Sequence, residues 1–214
     1  MPDVKILVVY YSMTGNVAAL AEAIAEGART EGAEIRVRQV TELMPEEVIN
    51  KRPALVKVKE KYRHIPIATN EDLEWADGVA FGSPTRYGNM TAQLKEFIDQ
   101  TGKLWMSGSL TGKLASVFTS TSTQHGGQES TLISMMIPLF HLGFIIQGFP
   151  YAEQLQMGME AIHGGSPYGV SSISGPTAER SPQKQDLEMA AALGKRLVQT
   201  ARKLRRPVEQ AEAA

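Results

Sequence analysis

The chain has 214 residues, 43% of them hydrophobic, which is enough to bury the core of one large domain. It contains no cysteine, which excludes disulfide frameworks, iron–sulfur clusters and thiol nucleophiles, so any redox chemistry requires a bound cofactor. A net charge of −1 provides no general field for nucleic acid, and no apolar run approaches the ~20 residues of a membrane span. The first residues lack the features of a signal peptide, so we expect a cytoplasmic protein that binds no nucleic acid.

Apolar strand-like runs alternate with helix-like periods, which is typical of βαβ units. Five strands are predicted, at Val4–Tyr10, Glu34–Gln39, Gly78–Gly82, Leu114–Ser120 and Gly143–Gln147. Helices are predicted near Asn16–Thr30, Met90–Thr101, Glu129–Leu142 and Gln183–Arg206. Because Ile35 and Val37 alternate with charged residues, the second strand should lie at a sheet edge. This pattern predicts an α/β, flavodoxin-like fold: a doubly wound five-stranded parallel sheet in the order 2-1-3-4-5.

Two connections exceed the usual length. Leu43–Asn70 contains three prolines, and one short helix is predicted within it at Glu46–Asn50; its basic stretch, residues 57–64, has glutamates close by and is interpreted as a solvated loop. Tyr151–Ser181 is rich in Gly, Ser and Pro, and we interpret it as an irregular packed loop that covers a site or a neighbouring subunit. We therefore expect one domain over residues 1–206, with inserted loops near 43–70 and 151–181, and a flexible tail at 207–214.

The loop after the first strand, Ser12–Val17, carries the strongest functional signal. It is rich in hydroxyls and glycine and precedes an Ala-rich helix, where unpaired backbone N–H groups and the helix dipole favour an anion. No Lys or Arg occurs between Tyr11 and Ala28, which argues against a nucleoside triphosphate loop. Ser12, Thr14 and Asn16 can add neutral donors, so a phosphate monoester fits better. The alternative is a capped helix after a buried strand.

Two further loops should meet this one, since ligands of open parallel sheets bind at the carboxyl ends of the strands where the strand order reverses. The loop after strand three, residues 83–90, offers an aromatic wall and amide groups. The loop after strand four, residues 119–128, is a run of hydroxyls and glycines without an acidic residue. Either loop alone could be turn chemistry, but the three together predict a site for a planar cofactor with a phosphate.

Five segments carry a resemblance to a known family: residues 11–16 (YSMTGN), 82–90 (GSPTRYGNM), 99–105 (DQTGKLW), 112–118 (GKLASVF) and 165–169 (GSPYG). They resemble the WrbA family of FMN-dependent NAD(P)H:quinone oxidoreductases, and the match extends from Lys5 to about Lys203. The first segment alone would indicate only a flavodoxin-like protein.

The resemblance implies noncovalent FMN, NADH or NADPH as co-substrate, a quinone as second substrate and a homo-oligomer, either dimer or homotetramer. It implies that the FMN phosphate is held by Ser12, Met13, Thr14, Gly15, Asn16 and Val17. The ring would be bordered by Pro84, Thr85, Arg86, Tyr87 and Gly88, closed at its other edge by Ser120, Thr121, Ser122, Thr123, Gln124 and Gly126, and faced by His141. Substrate contacts are expected from Trp105, Tyr87 and Thr14.

Some of these residues have simpler interpretations. His141 ends an apolar helix, where a protonated histidine is favoured by the dipole, and Trp105 could be a core or subunit-contact aromatic. The chain also departs from the family: many members have an aromatic residue in place of Thr14, and the segment Ser122–His125 is longer here. The four histidines show no metal-ligand spacing, and no nucleophile elbow occurs, so metal and hydrolase functions are disfavoured.

The function predicted from the sequence is two-electron reduction of quinones by ping-pong hydride transfer through FMN. No side chain needs to act as a nucleophile, because the flavin carries the chemistry. Two alternatives are a flavodoxin-type one-electron carrier and an FMN-binding regulatory or interaction protein. The three loops contain no Asp or Glu, which favours full two-electron reduction because the doubly reduced flavin is anionic.

Overall fold

A parallel sheet with helices on both faces organises the chain. The computed structural model describes residues 4–205. Its elements, in chain order, are β1 (Lys5–Tyr10), α1 (Asn16–Thr30), β2 (Glu34–Gln39), α2 (Glu46–Asn50), α3 (Pro53–Tyr62), α4 (Asn70–Trp75), β3 (Gly78–Pro84), α5 (Ala92–Asp99), α6 (Gly102–Ser107), β4 (Leu114–Thr121), α7 (Gln128–His141), β5 (Ile145–Ile146), β6 (Val170–Ile173) and α8 (Lys184–Leu204). A short 3₁₀ turn covers Tyr151–Glu153.

The two faces of the sheet follow from the alternation of side chains along β1. Ile6 and Val8 pack into one core with α1 and α8. Leu7 and Val9 point to the opposite core, which contains buried residues of α5 and α7. All four side chains are fully buried, as expected of a strand covered on both faces.

The predicted strand order is confirmed. The strands follow the order β2-β1-β3-β4-β5, all pairs are parallel, and β2 lies at an edge with half-buried residues. The helices predicted near 16–30, 90–101, 129–142 and 183–206 are present as α1, α5, α7 and α8, with ends close to those predicted. The predicted last residue of the final helix, Arg206, and the predicted tail at 207–214 lie outside the described residues. The order places the loops after β1, β3 and β4 together at one edge of the sheet.

The fifth strand position is divided into two short strands, which the sequence analysis did not predict. β5 pairs with Leu114 and Ala115 at the start of β4, and β6 pairs with residues 118–121 at its end. Since β3 occupies the other side of β4 over residues 114–120, β5 and β6 lie end to end along one edge. Residues 147–169 are therefore an insertion within this strand position, and the prediction of an irregular loop throughout 151–181 was wrong at Val170–Ile173. The strand was not predicted because Ser171 and Ser172 are polar. Inside the fold their hydroxyls are hydrogen-bonded to Gln128 and Ser120.

The long connection at 43–70 is mostly helical. The short helix at Glu46–Asn50 is confirmed as α2, but α3 covers the basic stretch through Tyr62, where a solvated loop was expected, and α4 begins at Asn70. Leu55 and Tyr62, seven residues apart, are buried on one face of α3. The residues after α3 are fixed to the sheet edge by hydrogen bonds from Gln39 N–H to the Pro66 carbonyl and from Ala68 N–H to the Gln39 carbonyl. Residues 102–107, for which no helix was predicted, form α6.

Helices α1 and α8 pack closely through two glycines. A Cβ atom on Gly27 would lie 1.9 Å from the Ala191 carbonyl oxygen, and one on Gly194 would lie 2.0 Å from that of Ile24. Only hydrogen at these positions allows the two backbones to approach so closely. This contact holds the C-terminal half of α1 against α8.

Candidate functional site

The three loops predicted to form a site line one cavity of about 540 Å³ at the carboxyl end of the sheet. Eight of the predicted residues lie in its wall: Met13, Thr14, Pro84, Thr85, Arg86, Ser120, Thr121 and Ser122. The volume is typical of a cavity for a small-molecule cofactor. The other predicted site residues are not among those that line this cavity.

The loop of residues 12–17 keeps several backbone donors free. Ser12 Oγ accepts hydrogen bonds from the N–H groups of Gly15 and Ala18, both at 3.2 Å. Within residues 4–205, the N–H groups of Thr14, Asn16 and Val17 have no acceptor. Unpaired N–H groups at the start of a 15-residue helix suit an anion. The Asn16 side chain is buried and donates to the Arg180 carbonyl at 2.9 Å, so it ties this loop to the segment before α8.

The loop after β3 is a two-residue hairpin. Arg86 and Asn89 exchange backbone hydrogen bonds of 2.7 and 3.0 Å, and the turn residues Tyr87 and Gly88 have φ of 53° and 77°. A positive φ is costly for tyrosine, and its side chain is fully exposed at the tip. Arg86 donates to the Thr85 carbonyl and lies 3.1 Å from Met13 Sδ, so it joins this loop to the first.

Buried hydroxyls hold the second and third loops in register. Thr131 Oγ1, on α7, lies 2.8 Å from Thr85 Oγ1 and 2.6 Å from the Gly127 carbonyl oxygen. Thr119 Oγ1 donates to the Ser83 carbonyl at 2.7 Å. In the third loop Thr121 Oγ1 donates to the Thr123 carbonyl, which turns residues 122–125 outward to solvent. Thr123, Gln124 and Gly126 therefore shape this loop without lining the cavity.

Two walls of the cavity were not predicted from the sequence. One is the N-terminal part of α3, through Arg52, Ala54, Leu55, Lys57 and Val58; the other follows β6 and comprises Ser174, Pro176, Thr177 and Ala178. The apolar spacing of Leu55, Val58 and Tyr62, preceded by Pro53, is a helix signal that could have located the first wall. No comparable signal marks the second.

The charges around the cavity are positive. Within the described part of the chain no Asp or Glu lines it, whereas Arg52, Lys57 and Arg86 do. Behind the first loop, the Tyr11 hydroxyl donates to Glu42 at 3.0 Å, and burial raises the pKa of Tyr11 well above its usual value. Burial alone would raise the pKa of the Glu42 carboxyl, but hydrogen bonds from Met44 N–H, Gln93 and Lys59 outweigh it and hold the pKa below its ordinary value. Glu42 therefore stays ionised and anchors Lys59 of α3.

Trp105 and His141 lie at a different place. They line a second, more apolar cavity of about 520 Å³ between α5, α6 and the end of α7, together with Ile137 and Pro138. Helix α7 has 14 residues, so His141 is roughly 20 Å from the helix start that faces the first cavity. Within one chain, the structure does not bring these two residues to the cavity of the three loops.

The residues present fit FMN in the first cavity. The unpaired N–H groups of the first loop and the hydroxyl of Thr14 would hold its phosphate, and the backbone and side chains at Thr85, Arg86 and Ser120–Ser122 would border its ring. No group of three His, Asp or Glu side chains within residues 4–205 could hold a metal ion. No helix among those residues is long and apolar enough to cross a membrane. A doubly wound sheet with this cavity at its switch point defines a flavodoxin-like protein.

Comparison with known proteins agrees with this class. Residues 8–143 match the flavodoxin family. A protein of Geotalea uraniireducens named NAD(P)H dehydrogenase (quinone) is 51% identical over 203 residues, covering 94% of this chain and 100% of its own length. Proteins of the same name from Aromatoleum aromaticum and Methanosarcina acetivorans are 50% and 48% identical, covering 92% and 94% of this chain and 95% and 98% of their own lengths.

Solved structures show the same fold. A WrbA-like flavodoxin from Agrobacterium tumefaciens has a TM-score of 0.64 at 22% identity and covers 95% of this chain and 100% of its own. The chain therefore belongs to the flavodoxin family, among relatives named NAD(P)H dehydrogenase (quinone). The resemblance inferred from the sequence segments is confirmed.

Proposed function

We propose that this protein is an FMN-dependent NAD(P)H:quinone oxidoreductase. The observation that carries the proposal is identity of about half the residues, over 92–94% of the chain, to proteins named for this activity. The cavity supports it, because it combines unpaired N–H donors, hydroxyls and cationic side chains without a carboxylate among the described residues.

When bound, FMN supplies hydride acceptance from the nicotinamide and two-electron delivery to the quinone. The residues of the chain bind the cofactor and orient it. The loop of residues 12–17 binds the phosphate through its N–H groups, and Thr85, fixed by Thr131, sets the position of the ring edge. Arg86 holds the first two loops together through Met13. The cationic wall favours an anionic reduced cofactor.

The function is tested by purifying the protein with FMN, adding NADH or NADPH without oxygen, and then adding a benzoquinone. We expect bleaching of the flavin absorbance by the nicotinamide and its return on quinone addition, with parallel-line ping-pong kinetics. Reduction by dithionite but by neither nicotinamide would favour the one-electron carrier or the interaction protein instead.

We also propose that the working form is a homo-oligomer, a dimer or a homotetramer, in which a neighbouring subunit brings Trp105 and His141 over the FMN cavity. Support comes from the separation of the two cavities within one chain. It also comes from the exposure of three large aromatic side chains, Trp105 (57%), Phe140 (60%) and Tyr87 (104%), because exposed apolar side chains are available for contact with a neighbouring subunit.

Assembly is tested by sedimentation and by activity per flavin on dilution. We expect an oligomer whose activity falls as it dissociates while each subunit stays folded, and the same loss in Trp105→Ala. The matched control is Met106→Ala, a neighbouring side chain that is 77% exposed and does not line the second cavity. A fully active monomer would contradict the proposal and leave Trp105 as a packing residue.

A further inference from the structure

Helix α3 is docked against the loop that precedes α1. Leu55 and Tyr62 are buried, and Val58 Cγ2 lies 3.6 Å from the position that a Cβ atom on Gly15 would occupy. Lys59 Nζ forms an ion pair of 3.2 Å with Glu42, the carboxylate that also accepts from Tyr11. These contacts hold α3 beside the N–H groups of the first loop.

The docked helix leaves two cations directed to the cavity. Arg52 and Lys57 line its wall and are exposed, and neither side chain forms a hydrogen bond or an ion pair within residues 4–205. Two carboxylates on and near the helix pair with other cations, Glu60 with Arg63 and Glu42 with Lys59. Two unpaired cations facing a cavity without a carboxylate have an anion as their natural partner.

We propose that Arg52 and Lys57 form a phosphate-binding arm that contacts a phosphate monoester in this cavity. Two ligands of the proposed function carry such a group: FMN at its 5′-phosphate and NADPH at its 2′-phosphate. Where the bound phosphate is that of NADPH, the proposal rests on the proposed oxidoreductase function. Packing of Val58 against Gly15 places the arm next to the phosphate loop and favours the FMN phosphate. The arm supplies the positive charge that the loop itself lacks.

The first test compares two double variants of equal charge. Arg52→Gln with Lys57→Gln removes the arm; Lys51→Gln with Arg63→Gln removes one Lys and one Arg from the same segment outside the cavity wall. The apoprotein is titrated with FMN and with riboflavin, which lacks the phosphate. We expect the arm variant to bind FMN about 10- to 100-fold more weakly and riboflavin unchanged, since charge-assisted hydrogen bonds are strong but exposure weakens them. The control variant should bind both like the wild type.

The pH dependence gives a second readout. A phosphate monoester loses its second proton near pH 6, so the wild-type affinity for FMN should fall as the pH drops through about 6. This fall should be shallower in the arm variant, because the cations that distinguish the two charge states are gone. Lys57→Arg, which keeps the charge, should retain most of the wild-type affinity.

A third experiment distinguishes the FMN phosphate from the NADPH 2′-phosphate. If FMN affinity is unchanged, binding of adenosine 2′,5′-bisphosphate to the FMN-loaded protein should weaken, and the KM for NADPH should rise while that for NADH does not. Two results would contradict the proposed phosphate-binding arm: an equal loss of affinity for FMN and riboflavin, or no change in any of these affinities relative to the control variant. None of the binding measurements needs quinone turnover, so loss of the proposed function and loss of this inference are distinguishable.

Discussion

A carboxylate introduced at Thr14 should weaken FMN binding through its charge. Thr14 lines the cavity, is half-buried, and its own N–H has no acceptor among the described residues. A glutamate there would lie roughly 6 Å from a phosphate on this loop, where two unit charges repel by about 3 kcal/mol at an effective dielectric constant of ~20 and about 0.7 kcal/mol in bulk water. The phosphate carries about −1.5 to −2 charges at pH 7.

Because the side chain is half-buried, the repulsion falls between these limits, at about 2–3 kcal/mol. Thr14→Glu should therefore bind FMN roughly 30- to 150-fold more weakly than Thr14→Gln, its isosteric neutral control. The assay is quenching of flavin fluorescence by the apoprotein, repeated with riboflavin, for which the two variants should agree. Equal FMN affinity in the two variants would refute the reasoning and move the phosphate away from this loop.

Three further predictions concern redox behaviour and stability. Photoreduction of the FMN-loaded protein should pass to the two-electron-reduced flavin with little of the one-electron form, because no carboxylate among the described residues lines the cavity; a dominant one-electron form at half reduction would favour a carrier. Gly194→Ala should destabilise the fold by about 1–3 kcal/mol in urea unfolding despite the better helix propensity of alanine, because its Cβ would lie 2.0 Å from the Ile24 carbonyl oxygen; Gly102→Ala, which meets nothing within 4 Å, is the control. Burial alone would raise the pKa of the Asp72 carboxyl, but Arg38 and Arg36 lower it below its usual value. Its contribution is present above the unfolded pKa of about 3.9 and is lost as pH falls through the folded pKa. Asp72→Asn should therefore cost about 2 kcal/mol at pH 7 and progressively less as the pH falls below about 3.9, and a difference independent of pH would contradict this.

Most of the central fold could be predicted from the sequence, because its signals are local. The alternation in β2 located the sheet edge, and the apolar runs of β1, β3 and β4 marked buried strands. The short helix α2 was predicted at its observed bounds. β6 could not be predicted, because its serines pair with polar groups distant in the chain, and nothing in the local pattern shows that partnership.

The site was predictable where the loops follow strands directly. Met13, Thr14, Thr85, Arg86 and Ser120 reach the cavity because parallel strands end at the same edge. The wall supplied by α3 depends on a tertiary contact instead. The basic stretch that begins at Lys57 was interpreted as a solvated loop, whereas in the structure Val58 packs against the first loop and Arg52 and Lys57 line the cavity.

The division of the fifth strand position also affects how the sheet meets other molecules. A long uninterrupted strand at an edge offers a row of free N–H and carbonyl groups, on which another chain can add a strand and begin aggregation. Here that edge consists of two residues in β5 and four in β6, with residues 147–169 between them. The insertion thus breaks the template into pieces too short for a second chain to pair with, and it protects this side of the sheet without a charged residue in either strand.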